Sequence, residues 1–424
     1  MTFQARTLID ILRGQRDQSP DHAACHVRNE SNRWIPVSRA EILDRMEHAA
    51  AALRRLGLVA GDRLAIQGRT NDHWLVFELA ALRLGAVVVG IDPRAPAGEI
   101  REILADSGAR GLLVENPAML AACPAEDIGF RMTFSGMAAL SREASPLSPE
   151  IPAPGGNDPA ALIYTSGTTG KAKGIIYTHA QIMAAHRAIL AALPILSGND
   201  RTIAWLPMSN LLQRMINGVA LTAGVGLYFV EDPREIARCF QEVRPTVFVG
   251  VPRFYQKVRD GVLERLGRAK GLRRRLAQAA LVSGKEAFRA RTAGQPLSLA
   301  ARLRHAALDA LVLRKIRKAL GGKIRILMTG SAATPRDVLE FFHAAGLPLL
   351  ESYGVSENTI PVTLSRLDAF RVGSVGRPLP ENEVVLAADG EVLVRGPGLF
   401  RGYTNGTAPD AFTADGFYRT GDLG

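Results

Sequence analysis

The chain has 424 residues, 47% apolar and 22% charged, which excludes a disordered, collagenous or coiled-coil protein and supplies ample core material. At about 150 residues per domain, that length implies two or three subdomains. The formal net charge of +11 is uneven: residues 253–325 hold 20 Lys and Arg against 4 Asp and Glu, and the rest holds 32 against 37.

Residues 39–56 predict an Ala-rich amphipathic helix, and 63–67 an apolar strand. A helix over 72–84, a buried strand over 86–91, a helix over 99–107 and a strand over 111–115 continue the alternation. This βαβ rhythm predicts a parallel sheet covered by helices. The Pro- and Gly-rich stretch 146–159 reads as a linker, closing a first α/β subdomain over residues 1–150. A second α/β subdomain, 151–370, is expected to hold strands near 161–164, 202–206, 226–229, 246–249 and 324–329. It also carries the basic segment, which reads as helices over 254–266, 272–291 and 299–320. Past residue 371, short strands over 383–386 and 391–395 predict a small β-barrel-like region or antiparallel sheet, 371–424. The fold class is therefore α/β: two α/β subdomains with mainly parallel sheets plus a small β region.

No window offers the roughly 18 uninterrupted apolar residues of a membrane span. Met1–Arg6 do not read as a secretory signal. Cys25, Cys123 and Cys239 are few and scattered, as in a reducing compartment. The expected location is cytoplasmic, and the basic segment allows peripheral contact with a membrane. Its partners by charge are an anionic lipid surface, an acidic carrier protein or a polyphosphate. Nucleic acid is set aside, because no recognition motif accompanies the charge.

The densest chemical signal is Tyr164-Thr-Ser-Gly-Thr-Thr-Gly-Lys-Ala-Lys-Gly174. Glycines let backbone N–H groups approach an anion, hydroxyls donate to phosphate oxygens, and lysines bring charge. It is not a Walker loop, since Thr165 and Ala172 stand where that pattern needs Gly and Ser or Thr. A second strand, 175–177, follows, so the loop joins a hairpin. Thr178 and Gln181 then form a capping box that opens a helix.

Residues 165–174 resemble the phosphate-loop signature of the adenylate-forming superfamily, with Ala172 in the usual Pro position. Two further blocks agree in order. Glu351-Ser-Tyr-Gly-Val-Ser-Glu357 resembles its Tyr-Gly-x-Thr-Glu motif, with Ser356 for Thr, and Tyr418-Arg-Thr-Gly-Asp-Leu-Gly424 is similar to its late signature. The block Val249-Gly-Val-Pro-Arg-Phe254 and the long basic segment look most like the long-chain fatty acyl-CoA synthetases. The resemblance implies activation of a carboxylic acid, a fatty acid in the leading reading, by ATP and Mg²⁺. The acyl-AMP then passes to CoA, or alternatively to the phosphopantetheine of an acidic acyl carrier protein. A non-catalytic nucleotide- or acyl-binding relative is the reading from another class.

Residue by residue, the resemblance assigns the β- and γ-phosphates to Thr165, Ser166, Gly167, Thr168, Thr169, Gly170, Lys171 and Lys173. It gives adenine the Tyr353 ring face beside the turn Gly330, Ser331 and Ala332. Glu351, Ser352 and Gly354 complete that nucleotide block. Ser356 is assigned to the α-phosphate, Glu357 and Thr165 to the metal, and Asp422 to the ribose hydroxyls. Lys171, Ser356 and Glu357 are the catalytic candidates. The acyl chain falls to Trp205, Asn210, Val249, Gly250 and Phe254, facing a helix expected over 213–219; Asn210 occupies a position where His is common. Relatives continue past Gly424 into a lid domain that carries a further lysine. Residues 1–424 are therefore expected to be a trimmed large domain, weakly active alone.

Overall fold

The computed structural model describes residues 6–123, 128–166, 172–359, 361–400, 402–404, 406 and 411–424. Gly167, Thr168, Thr169, Gly170 and Lys171 lie outside the described residues, as do the side chains of Thr165 and Ser166.

The largest sheet has six strands, in spatial order Phe130–Thr133, Gly111–Val114, Arg63–Gln67, Val87–Ile91, Pro159–Ser166 and Ala172–Thr178. All neighbours are parallel except the last pair, which flanks the Gly- and Thr-rich stretch 165–171. Its centre is Val87–Ile91, buried at every position, as a parallel strand covered on both faces must be. The flanking helices begin at side-chain caps, of which that at Thr178 was expected. Ser38 accepts from Glu41 N–H, Asn71 from Trp74 N–H, and Thr178 forms its capping box with Gln181.

Two smaller sheets carry the rest of the α/β structure. In one, Ala23–Arg28 pairs antiparallel with Trp34–Ser38 and parallel with Gly226–Phe229, beyond which lies Arg201–Ala204. In the other, Val247–Gly250, Ile326–Thr329 and Leu349–Tyr353 run parallel, and Thr363–Leu364 and Arg377–Pro378 turn antiparallel. A three-stranded antiparallel sheet, Glu383–Leu386, Glu391–Arg395 and Tyr418–Leu423, ends the described chain.

Two features depart from the linear reading. Residues 145–158 carry no helix or strand, yet strand pairing crosses them: 159–178 completes the first sheet, and 23–38 joins strands from 201–229. The helix read over 299–320 is interrupted by a π-helical turn, Asp309–Leu313. There Arg317 holds Asp309 with two hydrogen bonds of 2.6 and 2.7 Å and also donates to Ala345 O, a long-range tie that periodicity cannot show.

Candidate active site

The helix Leu211–Ala223 is the element around which the site is built. Asn210 caps it, its side chain accepting from Leu212 N–H at 2.9 Å. Its buried polar face is anchored twice. Gln213 accepts from the backbone N–H groups of Trp205 and Leu206, which fixes the helix to the end of a strand. Arg214 pairs with Glu78 at 2.6 Å, both buried. Burial pushes the Glu78 carboxyl up, against the pull of Arg214. Removing either partner would strand a buried charge, so the pair fixes the helix position.

The opposite face of this helix is apolar and lines a cavity of about 890 Å³, including its open mouth. Leu212, Met215, Ile216 and Val219 form one wall, Val247, Val249 and Met328 the facing one, and Ile189, Leu193 and Leu196 extend it. The lining is that of a small-molecule site. Gly330, Ser331, Ser352 and Gly354 also line it, where two parallel strands end. The backbones are close here: a Cβ on Gly330 would lie 2.6 Å from Ser352 Oγ. Ser331 adopts a left-handed φ of 67°, a strained state that functional turns often hold.

Beside that turn the polar side chains hold one another. Tyr353 donates to Asp422 Oδ2 at 2.7 Å, joining the strand Leu349–Tyr353 to the last strand. Tyr403 donates to Glu357 Oε1 at 2.7 Å, and Lys173 Nζ sits 5.2 Å from the Tyr403 ring centroid. Burial, and then Glu357, pushes the Tyr403 phenol up to about 12, so it stays a proton donor to that carboxylate. Burial likewise raises Tyr353. Thr404 N–H donates to Gly174 O at 2.9 Å. A Cβ on Gly174 would lie 2.7 Å from Thr404 Oγ1, so only glycine permits this approach. The hairpin that carries the phosphate-loop sequence is thereby stitched to the segment that holds Glu357.

Residues 12–404 match the AMP-binding enzyme family. The chain belongs to that family. It is 34% identical over 410 residues to a long-chain-fatty-acid–CoA ligase, FadD15, of Mycobacterium tuberculosis, across 92% of this chain and 68% of the relative. It is 26% identical to long-chain-fatty-acid–CoA ligase 1 of Schizosaccharomyces pombe, across 92% of this chain and 63% of the relative. In fold it resembles the inhibitor-bound N-terminal domain of FACL13 from M. tuberculosis, with TM-score 0.76, 24% identity, and coverage of 99% of this chain and 96% of that one. The mainly parallel α/β architecture expected from the sequence is thus that of an adenylate-forming large domain.

Within this AMP-binding chain, Gly330, Ser331, Ser352, Gly354 and Val249 line the cavity. Tyr353, Glu357, Asp422 and Lys173 gather on the polar face beside it, Ala332 is exposed in the same turn, and Ser356 lies in the turn between Gly354 and Glu357. Other assignments fall elsewhere. Trp205 and Phe254 are not among the cavity-lining residues. They pack with Phe248, ring centroids 5.1–5.8 Å apart, and the Trp205 indole N–H donates to Val249 O. Gly250 borders that aromatic cluster: its Cβ would meet Phe248, Tyr255 and Phe254. Asn210 is an exposed helix cap. Glu351 is 7% exposed and turned toward the backbone of Gly373 and Thr334; burial pushes its carboxyl up to about 6.

Sequence reasoning missed Tyr403 and Thr404; Tyr164 opened the loop motif without a role, and it and Thr404 both donate to Asp106 Oδ2, at 2.6 and 3.0 Å. No local pattern marks Tyr403 or Thr404; only the folded contact between the hairpin and residues 402–404 does. For Mg²⁺ the donor set is one half-buried carboxylate oriented by a tyrosine. No group of three or more metal-ligating side chains occurs among the described residues. That fits a hard cation carried mainly by phosphate oxygens and water, with a single protein carboxylate added.

Proposed function

We propose that this chain activates a fatty acid as its acyl-adenylate and passes the acyl group to CoA. The observation that carries the reading is the junction at Gly330 and Ser352, where an apolar cavity meets a polar face of Tyr353, Glu357 and Asp422. A carboxylate seated there, with its chain against Val249 and Met215, would point its oxygen at an α-phosphate. Attack forms the O–P bond and expels pyrophosphate; a thiol then attacks the carbonyl carbon and expels AMP. The chain's contribution is positioning and charge neutralisation. Tyr353 would offer its ring to adenine, and Asp422 its carboxylate to the ribose hydroxyls. Ser356 would donate to the α-phosphate, while Thr165, Ser166, Thr168, Thr169, Lys171 and Lys173 would hold the leaving pyrophosphate. Mg²⁺, held at Glu357, would offset phosphate charge.

The names of the relatives support CoA as acceptor over a carrier protein's phosphopantetheine. The basic segment also exposes Leu272, Leu299 and Leu303 among arginines, the composition of a surface resting on anionic lipid, where fatty acids partition. No helix among the described residues is long and apolar enough to cross a membrane.

The test is thermal stabilisation by acyl-sulfamoyl adenosines of increasing chain length, followed by pyrophosphate exchange and thiol trapping with CoA or a holo-carrier. Stabilisation should exceed that by AMP and grow with chain length until the cavity fills. Val249→Phe should weaken the longest acyl mimic at least about tenfold and spare the acetyl one. Equal, small shifts from AMP and every acyl mimic would reject the reading.

A further inference from the structure

The basic segment is not uniformly basic in space. The helix Gly271–Thr292 places Lys285 and Arg289 one turn apart beside the buried Phe288, and the helix Arg336–Ala344 brings Arg336 and Glu340 alongside them. Phe370, Arg371 and Val372 close the far side, leaving a concave groove of about 890 Å³ open to solvent. Four cations from three separate segments thus line one groove with a single carboxylate. Glu340 is shared between Lys285 at 3.6 Å and Arg336 at 3.2 Å. Arg289 and Arg371 have no ion pair among the described residues. The other nearby acids do not supply one: Asp337 is held by Arg259, and Asp368 lies in the adjoining cavity that Arg291 also lines.

A solvated helix face spreads its cations along one helix. Here unpaired guanidiniums from a helix and a loop face a common hollow walled by Phe288 and Phe370, whose ring centroids are 6.0 Å apart. Guanidinium is the side chain suited to two-point contact with phosphate, and low-dielectric walls strengthen that contact. We propose that this groove binds a soluble ligand carrying two or more phosphate groups, held between Arg289 and Arg371 with Lys285 and Arg336 behind them.

The groove is joined to the candidate active site by the chain itself. Gly373, next to Val372, sets its backbone N–H against the buried Glu351 carboxylate. Glu351 lies on the strand that continues into Ser352 and Tyr353. A ligand held at Arg371 would therefore sit two residues from Gly373, beside the strand that carries the proposed adenine platform.

The site does not depend on the adenylating reading, and the experiment keeps the two apart. Adenosine 3′,5′-bisphosphate and inorganic tripolyphosphate are titrated calorimetrically into the protein, with and without saturating acyl-sulfamoyl adenosine. We expect saturable binding of one equivalent that survives occupation of the nucleotide face and weakens as salt rises. Arg289→Gln with Arg371→Gln should weaken it at least tenfold and leave acyl-sulfamate affinity unchanged. Arg268→Gln with Arg273→Gln, which removes the same charge elsewhere on the basic segment, should change it less than twofold. Equal weakening by both double variants, or loss of all binding once the acyl-sulfamate is present, would overturn the proposal. So would sedimentation with phosphatidylglycerol vesicles that depends on Arg289 and Arg371 while neither soluble phosphate binds. Failure of the acyl-sulfamate itself to bind would count against the adenylating reading alone.

Discussion

The cavity wall and the polar face meet at Gly330 and Ser352, but they are built on opposite principles. Along the cavity, Leu212, Met215 and Val219 are held by the far side of their own helix, through the buried Arg214–Glu78 and Gln213 contacts. Shape is fixed there by polar groups the ligand never meets. On the polar face, the groups that would meet the nucleotide hold one another directly, Tyr353 on Asp422 and Tyr403 on Glu357. Substitution in the cavity's support should therefore cost stability. On the polar face it should cost binding and rate.

The sharpest break of that comparison is Glu357→Gln. The amide keeps the shape and brings no charge to set against phosphate, so pyrophosphate exchange should fall about 10²–10³-fold with the melting temperature unchanged. A large loss of stability would move Glu357 to the structural side. Phe254→Ala tests the reverse. It should destabilise the protein by about 2–3 kcal/mol in denaturant titration by opening the aromatic cluster, while the affinity for acyl mimics moves less than about twofold.

Glu351 sharpens the comparison through pH. Its carboxyl is pushed up to about 6 from an ordinary 4.5, so the folded chain keeps that proton to higher pH than the unfolded chain. Its contribution to stability is complete below pH 4.5 and is lost as pH rises to about 6, amounting to about 2 kcal/mol. In urea melts, Glu351→Gln should remove this part of the pH dependence; an unchanged profile would mean the carboxylate is solvated. The smallest effect is expected from Tyr353→Phe. Loss of one hydrogen bond to Asp422 should weaken AMP binding about fivefold by calorimetry, at about 1 kcal/mol, and leave acyl-chain preference untouched.

The sequence alone determined the local elements and the motif order. Strands such as Arg63–Gln67 and Gly226–Phe229, and the capping box at Thr178, follow from periodicity and side-chain chemistry within a few residues, which act before any tertiary contact forms. The proposed nucleotide residues were named from the sequence because three short, ordered blocks resemble the family's motifs. What only the tertiary structure decided was which face each residue presents and which distant segment it meets. Trp205 and Phe254 look equally suited to a ligand or a core in one dimension, and in three dimensions they lie half-buried against Phe248, outside the cavity lining. Tyr403 gave no local signal, because its role arises from a loop laid against Gly174, more than two hundred residues earlier in the chain. Strand pairing across residues 145–158 was equally hidden, because hydrogen bonding between strands depends on spatial order, which local composition does not encode.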